Sequence, residues 1–182
     1  MSKAIGMVEY KTVSSGVMAT DLMVKTSEVE IVEAETVCPG KYIAIITGDL
    51  SAVKAAVEAA KAKYEIQLID SFVLGNPHES IFPAITGTTK VDVVNALGII
   101  ETFDASGIIV AADNAVKTAE VQLIEIRIAK GMCGKSYCML TGEVAAVEAA
   151  VEKAKQAVAP TGMVLDSAVI PHPDKKLVET IL

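Results

Sequence analysis

The apolar positions change their period several times along the first half of the chain. Ala4–Tyr10 is a short apolar run broken only by Gly6 and Glu9, and it predicts a strand. Residues 16–26 read as a helix, with Ser14 and Ser15 available to cap its free amide groups. Over 29–37, Val29, Ile31 and Glu33 alternate with Glu28, Glu30 and Val32, the pattern of a half-buried strand. Cys38-Pro39-Gly40 breaks both periods and predicts a loop. A dense apolar strand follows at 42–47, then a helix at 51–63 with Val53, Val57 and Ala60 at helical spacing. The alanines of that helix (Ala52, Ala55, Ala56, Ala59) allow a close approach to a sheet or another helix. Residues 67–74 form the last strand. Short helices interleaved with strands in this order predict an α+β fold, an antiparallel sheet covered by helices.

The second half of the chain repeats the first. Ala4-Ile5-Gly6-Met7-Val8-Glu9 returns as Ala96-Leu97-Gly98-Ile99-Ile100-Glu101, an offset of 92 residues that also carries Asp21 onto Asp113, Lys25 onto Lys117 and Glu33 onto Glu125. The offset becomes 94 where Gly40-Lys41 meets Gly134-Lys135, and 96 where Asp70-Ser71 meets Asp166-Ser167. An offset that grows in small steps means loops of different length between elements kept in order. Two copies of one domain follow, at 1–88 and 93–182, with 86–92 as linker and 96–103 as the second opening strand. Each is expected to be a four-stranded, mainly antiparallel sheet with flanking helices.

Composition narrows the partners. The chain is 52% hydrophobic with a mean hydropathy of +0.46, yet no apolar run approaches the about 20 residues that span a bilayer. Apolar surface in such excess suggests burial between subunits. The start, Met1-Ser2-Lys3-Ala4 with Gly6 and Glu9 close behind, lacks the apolar core of a signal peptide, so export is not expected. A net charge of -7 argues against nucleic acid and against an anionic membrane surface as partner. Three cysteines, an odd number, suit a reducing cytoplasm better than a disulfide framework.

Little in the chain suggests catalysis. His78 and His172 sit beside prolines without metal-ligand spacing or a local nucleophile, and the glycines are too dispersed for a phosphate loop. Cys138, inside the run Tyr137-Cys138-Met139-Leu140, reads as a buried small hydrophobe. Cys38 and Cys133, each in a glycine-containing loop, read from the residues alone as small turn residues. Lys25 and Lys117 each follow an aspartate by four residues, which makes a helix ion pair with the cation at the favourable end of the helix dipole.

Several segments in their order resemble the bacterial microcompartment shell-protein (BMC) domain, present in tandem over nearly the whole chain. They are the opening Ala-x-Gly-x-(Val/Ile)-Glu, the helix ending Asp21-Leu22-Met23-Val24-Lys25, the turn Thr47-Gly48-Asp49 with its Ala/Val helix, and the closing Val169-Ile170-Pro171-His172-Pro173. Thr36-Val37-Cys38-Pro39-Gly40-Lys41 is similar to the tandem-domain type of that family. The resemblance implies ferredoxin-like domains and a homotrimer of two-domain chains that imitates a hexagonal tile. Such tiles pack with other shell proteins, edge to edge, into the shell of a polyhedral organelle in the cytoplasm, and the protein is not an enzyme. It places Cys38-Pro39-Gly40 and Lys130-Gly131-Met132-Cys133-Gly134 around a central pore and Lys25 and Lys117 at the tile edge. The family commonly has an arginine between the two closing prolines; His172 stands there in the second copy and the first copy reads Gly75-Asn76-Pro77, which bears on lateral packing.

For Cys38 the resemblance implies a metal site: one 4Fe–4S cluster per trimer, held by the Cys38 thiolates of three chains, with an enclosed or cytoplasmic redox enzyme as electron partner. A cubane cluster has a three-fold axis through one iron and the opposite sulfide, so three related thiolates can hold three irons and leave the fourth open. Such clusters ordinarily take four cysteines, and no Cys-x-x-Cys exists here, so only symmetry can gather the ligands. Cys133 is not assigned as a ligand. Two other readings compete: a tile with an open metabolite pore and no cluster, and a trimeric nucleotide-binding signalling protein of similar architecture. The second should show a basic phosphate loop and no duplicated domain.

Overall fold

The computed structural model describes residues 3–182, which pack as two units divided between Pro77 and His78. The first runs β1 (Ala4–Tyr10), α1 (Val13–Thr26), β2 (Glu30–Val37), β3 (Lys41–Gly48), α2 (Leu50–Lys63), β4 (Leu68–Leu74). The second opens with the short α3 (Ile81–Ile85) and repeats the series as β5 (Ala96–Thr102), α4 (Ala105–Thr118), β6 (Val121–Ile128), β7 (Ser136–Gly142), α5 (Val144–Val158), β8 (Val164–Pro171), before α6 (Lys175–Ile181). The sheets are ordered β2-β3-β1-β4 and β6-β7-β5-β8, every pair antiparallel. This is the βαββαβ arrangement of ferredoxin-like domains, in tandem.

β1 is central in its sheet and all seven of its residues are buried. Ala4, Val8 and Tyr10 meet Ala19 and Met23 of α1 and Val53, Ala56, Val57 and Ala60 of α2 in one apolar cluster. Tyr10 satisfies its hydroxyl in that cluster by donating to the Ala60 carbonyl at 2.9 Å. The glycine of the opening motif has a steric reason. A Cβ on Gly6 would stand 2.6 Å from Val53 and 2.9 Å from Val57, and one on Gly98 would stand 2.8 Å from Val147 and 3.0 Å from Val151. α2 and α5 therefore lie directly on their central strands.

Several boundaries depart from the sequence reading. α1 begins at Val13, three residues before the expected start at Gly16, because Thr12 is the cap: its hydroxyl accepts from the Ser15 amide at 3.4 Å, while Ser14 and Ser15 lie inside the helix. In the second unit Asp104 does the same for Gly107 at 3.2 Å. The alternation expected across 29–37 breaks at a bulge between Ile31 and Glu33, repeated between Leu123 and Glu125. α3 was not expected, and it carries the packing boundary ahead of the 86–92 linker: Ile81, Ala84 and Ile85 are buried within the second unit, against α4 and β6.

Candidate functional site

Cys38 stands in the tight turn that joins β2 to β3. Val37 and Lys41 face each other in register, and the Gly40 amide closes the turn on the Val37 carbonyl at 3.0 Å. The Cys38–Pro39 peptide is cis, and Gly40 has φ +81° with open space where a Cβ would stand. Glycine is needed there for backbone freedom, since that region disfavours any side chain. Val37 is buried, Pro39 and Gly40 are exposed, and Cys38 lies between, its thiol in no disulfide.

An ion pair fastens the exit of this turn. Lys41 Nζ meets Glu9 Oε1, and the Glu9 side chain keeps only 4% of its exposure. A carboxylate in a strand whose every other residue is apolar or glycine, apart from the Tyr10 hydroxyl, needs a cationic partner, and the turn supplies it. That pairing was missed in the sequence; its signal was the charge inside the apolar run.

The corresponding turn of the second unit, between β6 and β7, is longer, residues 129–135 against 38–40. Ala129, Gly131, Cys133 and Gly134 all take positive φ, and the loop closes by the Lys135 amide donating to Met132 at 3.1 Å and the Ala129 amide to Ser136 Oγ at 3.1 Å. Cys133 is exposed there. Beside it, Arg127 ion-pairs with Glu125 at 2.7 Å and covers the Tyr137 ring at 5.4 Å, while the Tyr137 hydroxyl donates to Glu125 at 2.7 Å. Burial, then that hydrogen bond, pushes the Tyr137 phenol up to about 12. This cross-strand cluster stiffens the approach to the loop and was also unseen in the sequence, because it depends on strand register.

Lys25 and Lys117 lie in the last turns of α1 and α4, each on its expected aspartate, at 2.7 Å from Asp21 and 2.6 Å from Asp113. Asp21 is exposed, whereas Asp113 is buried and its other oxygen accepts from the His78 amide at 2.7 Å. His78 and His172 are exposed loop residues.

Cys138 lies fully buried in β7, and desolvation pushes its thiol far above the ordinary range. The thiolate is the reactive form. A thiol reagent is therefore expected to modify Cys133 and Cys38 in folded, metal-free protein, and to reach Cys138 only after denaturation. Mass spectrometry of the labelled peptides checks this. Early labelling of Cys138 would mean that β7 opens in the native state.

A family model described as the BMC domain matches residues 4–77 and again 96–173. The chain belongs to the BMC-domain family. Bacterial microcompartment shell protein PduT of Citrobacter freundii is 37% identical over 177 residues, covering 97% of this chain and 96% of that protein. Carboxysome assembly protein CcmO of Synechococcus elongatus is 29% identical over 98% of this chain and 68% of its own length. The crystal structure of a microcompartment protein from Desulfitobacterium hafniense DCB superposes with a TM-score of 0.94 at 43% identity, covering 98% of this chain and 99% of that one. These relatives bear the names of shell, assembly and microcompartment proteins, and not of enzymes. Thr36–Lys41 is the stretch whose sequence resembles the propanediol-utilisation shell protein T.

In BMC-domain terms the two glycine-containing loops hold the same place in their units, the turn between second and third strands. One chain supplies a single turn cysteine in each. Among the described residues no group of three or more His, Cys, Asp or Glu gathers at a common point. The donor chemistry at Cys38, one soft thiol per chain, fits an iron–sulfur centre only when copies contribute together.

Proposed function

We propose that this protein is a shell tile in which the Cys38 thiolates of three copies hold one 4Fe–4S cluster. The chain is a tandem, pseudohexameric-type shell protein of a bacterial microcompartment, and its place is in the shell of that organelle beside other shell proteins. No helix among the described residues is long and apolar enough to cross a membrane.

The observation that carries the cluster reading is the turn itself. Cys38 is held half-buried at a closed hairpin end, its backbone braced by Gly40 on Val37 and its exit tied by Lys41 to Glu9. A bound cluster would supply one-electron transfer through the tile. The protein's own part is to present the thiol in a stiff turn and to keep the neighbouring charge neutralised. Family membership also favours a shell role over nucleotide-binding signalling.

The test is an iron and sulfide assay on protein purified anaerobically, alongside native mass spectrometry. The expected result is a trimer with about four irons and four sulfides per three chains. A metal-free trimer would replace the cluster with an open metabolite pore. A monomer would overturn the tile.

A further inference from the structure

The duplication allows one repeat to be compared with the other inside a single chain, and one contact is made once and left unmade once. α3 follows β4 as α6 follows β8. At the 96-residue offset Pro77 corresponds to Pro173, His78 to Asp174, Ile81 to Leu177 and Ile85 to Ile181. The two tails leave their sheets by the same left-handed step, with φ 55° at Asn76 and 51° at His172.

The first tail is seated. Ile81 and Ala84 are 0% exposed and Ile85 5%, packed on α4 and β6, and the His78 amide donates to Asp113 at 2.7 Å. On the two elements it packs against, Ala105 and Ile109 of α4 and Leu123 of β6 are 1%, 0% and 0% exposed. The second tail has no such seat: α6 buries none of its residues and Leu177 is 40% exposed. The matching seat in the first unit is uncovered. At the 92-residue offset Val13, Val17 and Ile31, counterparts of Ala105, Ile109 and Leu123, are 41%, 49% and 49% exposed, and the side chain of Asp21, counterpart of Asp113, is 59% exposed.

We infer that α6 of one copy of this chain seats on α1 and β2 of a second copy, reproducing between molecules the contact that α3 makes with α4 and β6. Leu177 and Ile181 cover Val13, Val17 and Ile31, and the Asp174 amide donates to Asp21. Apolar side chains held in water on both halves drive the association. The occupant is a second copy because each half occurs on this chain and the filled version shows that the two halves match. A contact of this head-to-tail kind joins different surfaces of successive copies, and it closes into a ring of three when each copy is turned by a third of a revolution, as the tile reading requires. It rests on the tile reading and names the surface by which the ring closes. It also turns the exposed Asp21–Lys25 pair into a covered one, so Lys25 is oriented in the assembly as Lys117 is within its own unit.

The test begins with native mass spectrometry of the unaltered protein, then of Leu177→Lys and Val17→Lys. Both positions are exposed in the single chain, so the far-ultraviolet circular dichroism of each variant should match that of the parent. The trimer is expected to be lost to monomer in both. A cysteine pair, Asp21→Cys with Asp174→Cys in a Cys38→Ser, Cys133→Ser background, stands at the counterparts of Asp113 and His78. Under oxidation it should give cross-linked dimers and trimers on a non-reducing gel, while either cysteine alone stays monomeric. A trimer that survives both lysine variants, with no cross-linked ladder, overturns the seat and leaves the tile standing. A monomeric parent overturns both.

Discussion

Replacing Cys38 with serine is expected to remove all iron and acid-labile sulfide from the assembled protein, together with the visible absorption of the centre. In the proposed site one substitution per chain would delete every protein ligand at once, because each chain would contribute the same thiol. A serine oxygen is a poor stand-in, since iron–sulfur centres select soft thiolate ligands. The turn itself should survive. Cys38 is half-buried, and the turn is closed by the Gly40 amide and the Lys41–Glu9 pair, neither of which uses the thiol. The cost in stability should stay within about 1 kcal/mol, and the oligomer should be unchanged by native mass spectrometry. Cys133→Ser is the matched control, with iron content expected to equal the parent's. Iron retained in Cys38→Ser, or lost equally in Cys133→Ser, would remove Cys38 from the site.

Lys41→Met is expected to destabilise the protein by about 3–5 kcal/mol, the usual consequence of leaving a buried charge without its partner. Glu9 lies on the central strand with its side chain out of solvent, between Ile43 on β3 and the carboxylate residue Asp70 on β4. Methionine keeps the length and apolar stem of lysine, so the loss reports the charge. The double variant Glu9→Gln with Lys41→Met should regain most of it, and the cycle of four proteins isolates the coupling. Denaturant midpoints measured on metal-free protein keep any ligand linkage out of the comparison. A cost below about 1 kcal/mol in the single variant would mean that the pair is solvated like an ordinary surface one.

The elements that could be read in advance are those whose cause is local. Val53, Val57 and Ala60 announce a helix by spacing alone, and Cys38-Pro39-Gly40 announces a turn because neither period tolerates proline and glycine together. Misses arose where the cause was short or remote. α3 has five residues, one of them Pro83, too few to display a helical period, and it forms because Ile81 and Ile85 find α4 and β6 to cover. The start of α1 turned on which of Thr12, Ser14 and Ser15 serves as cap, three residues that composition cannot rank and backbone geometry can.

By itself the sequence determined the duplication, the α+β series in each half and the place of the cysteine turn, because repetition and hydrophobic period are properties of neighbours along the chain. Only the tertiary structure decided that Lys41 answers Glu9 across 32 positions, or that Asp113 is buried while Asp21, in the same sequence setting, is not. Those differences come from what packs against each side chain in space, and the shared Asp-to-Lys spacing carries no record of it.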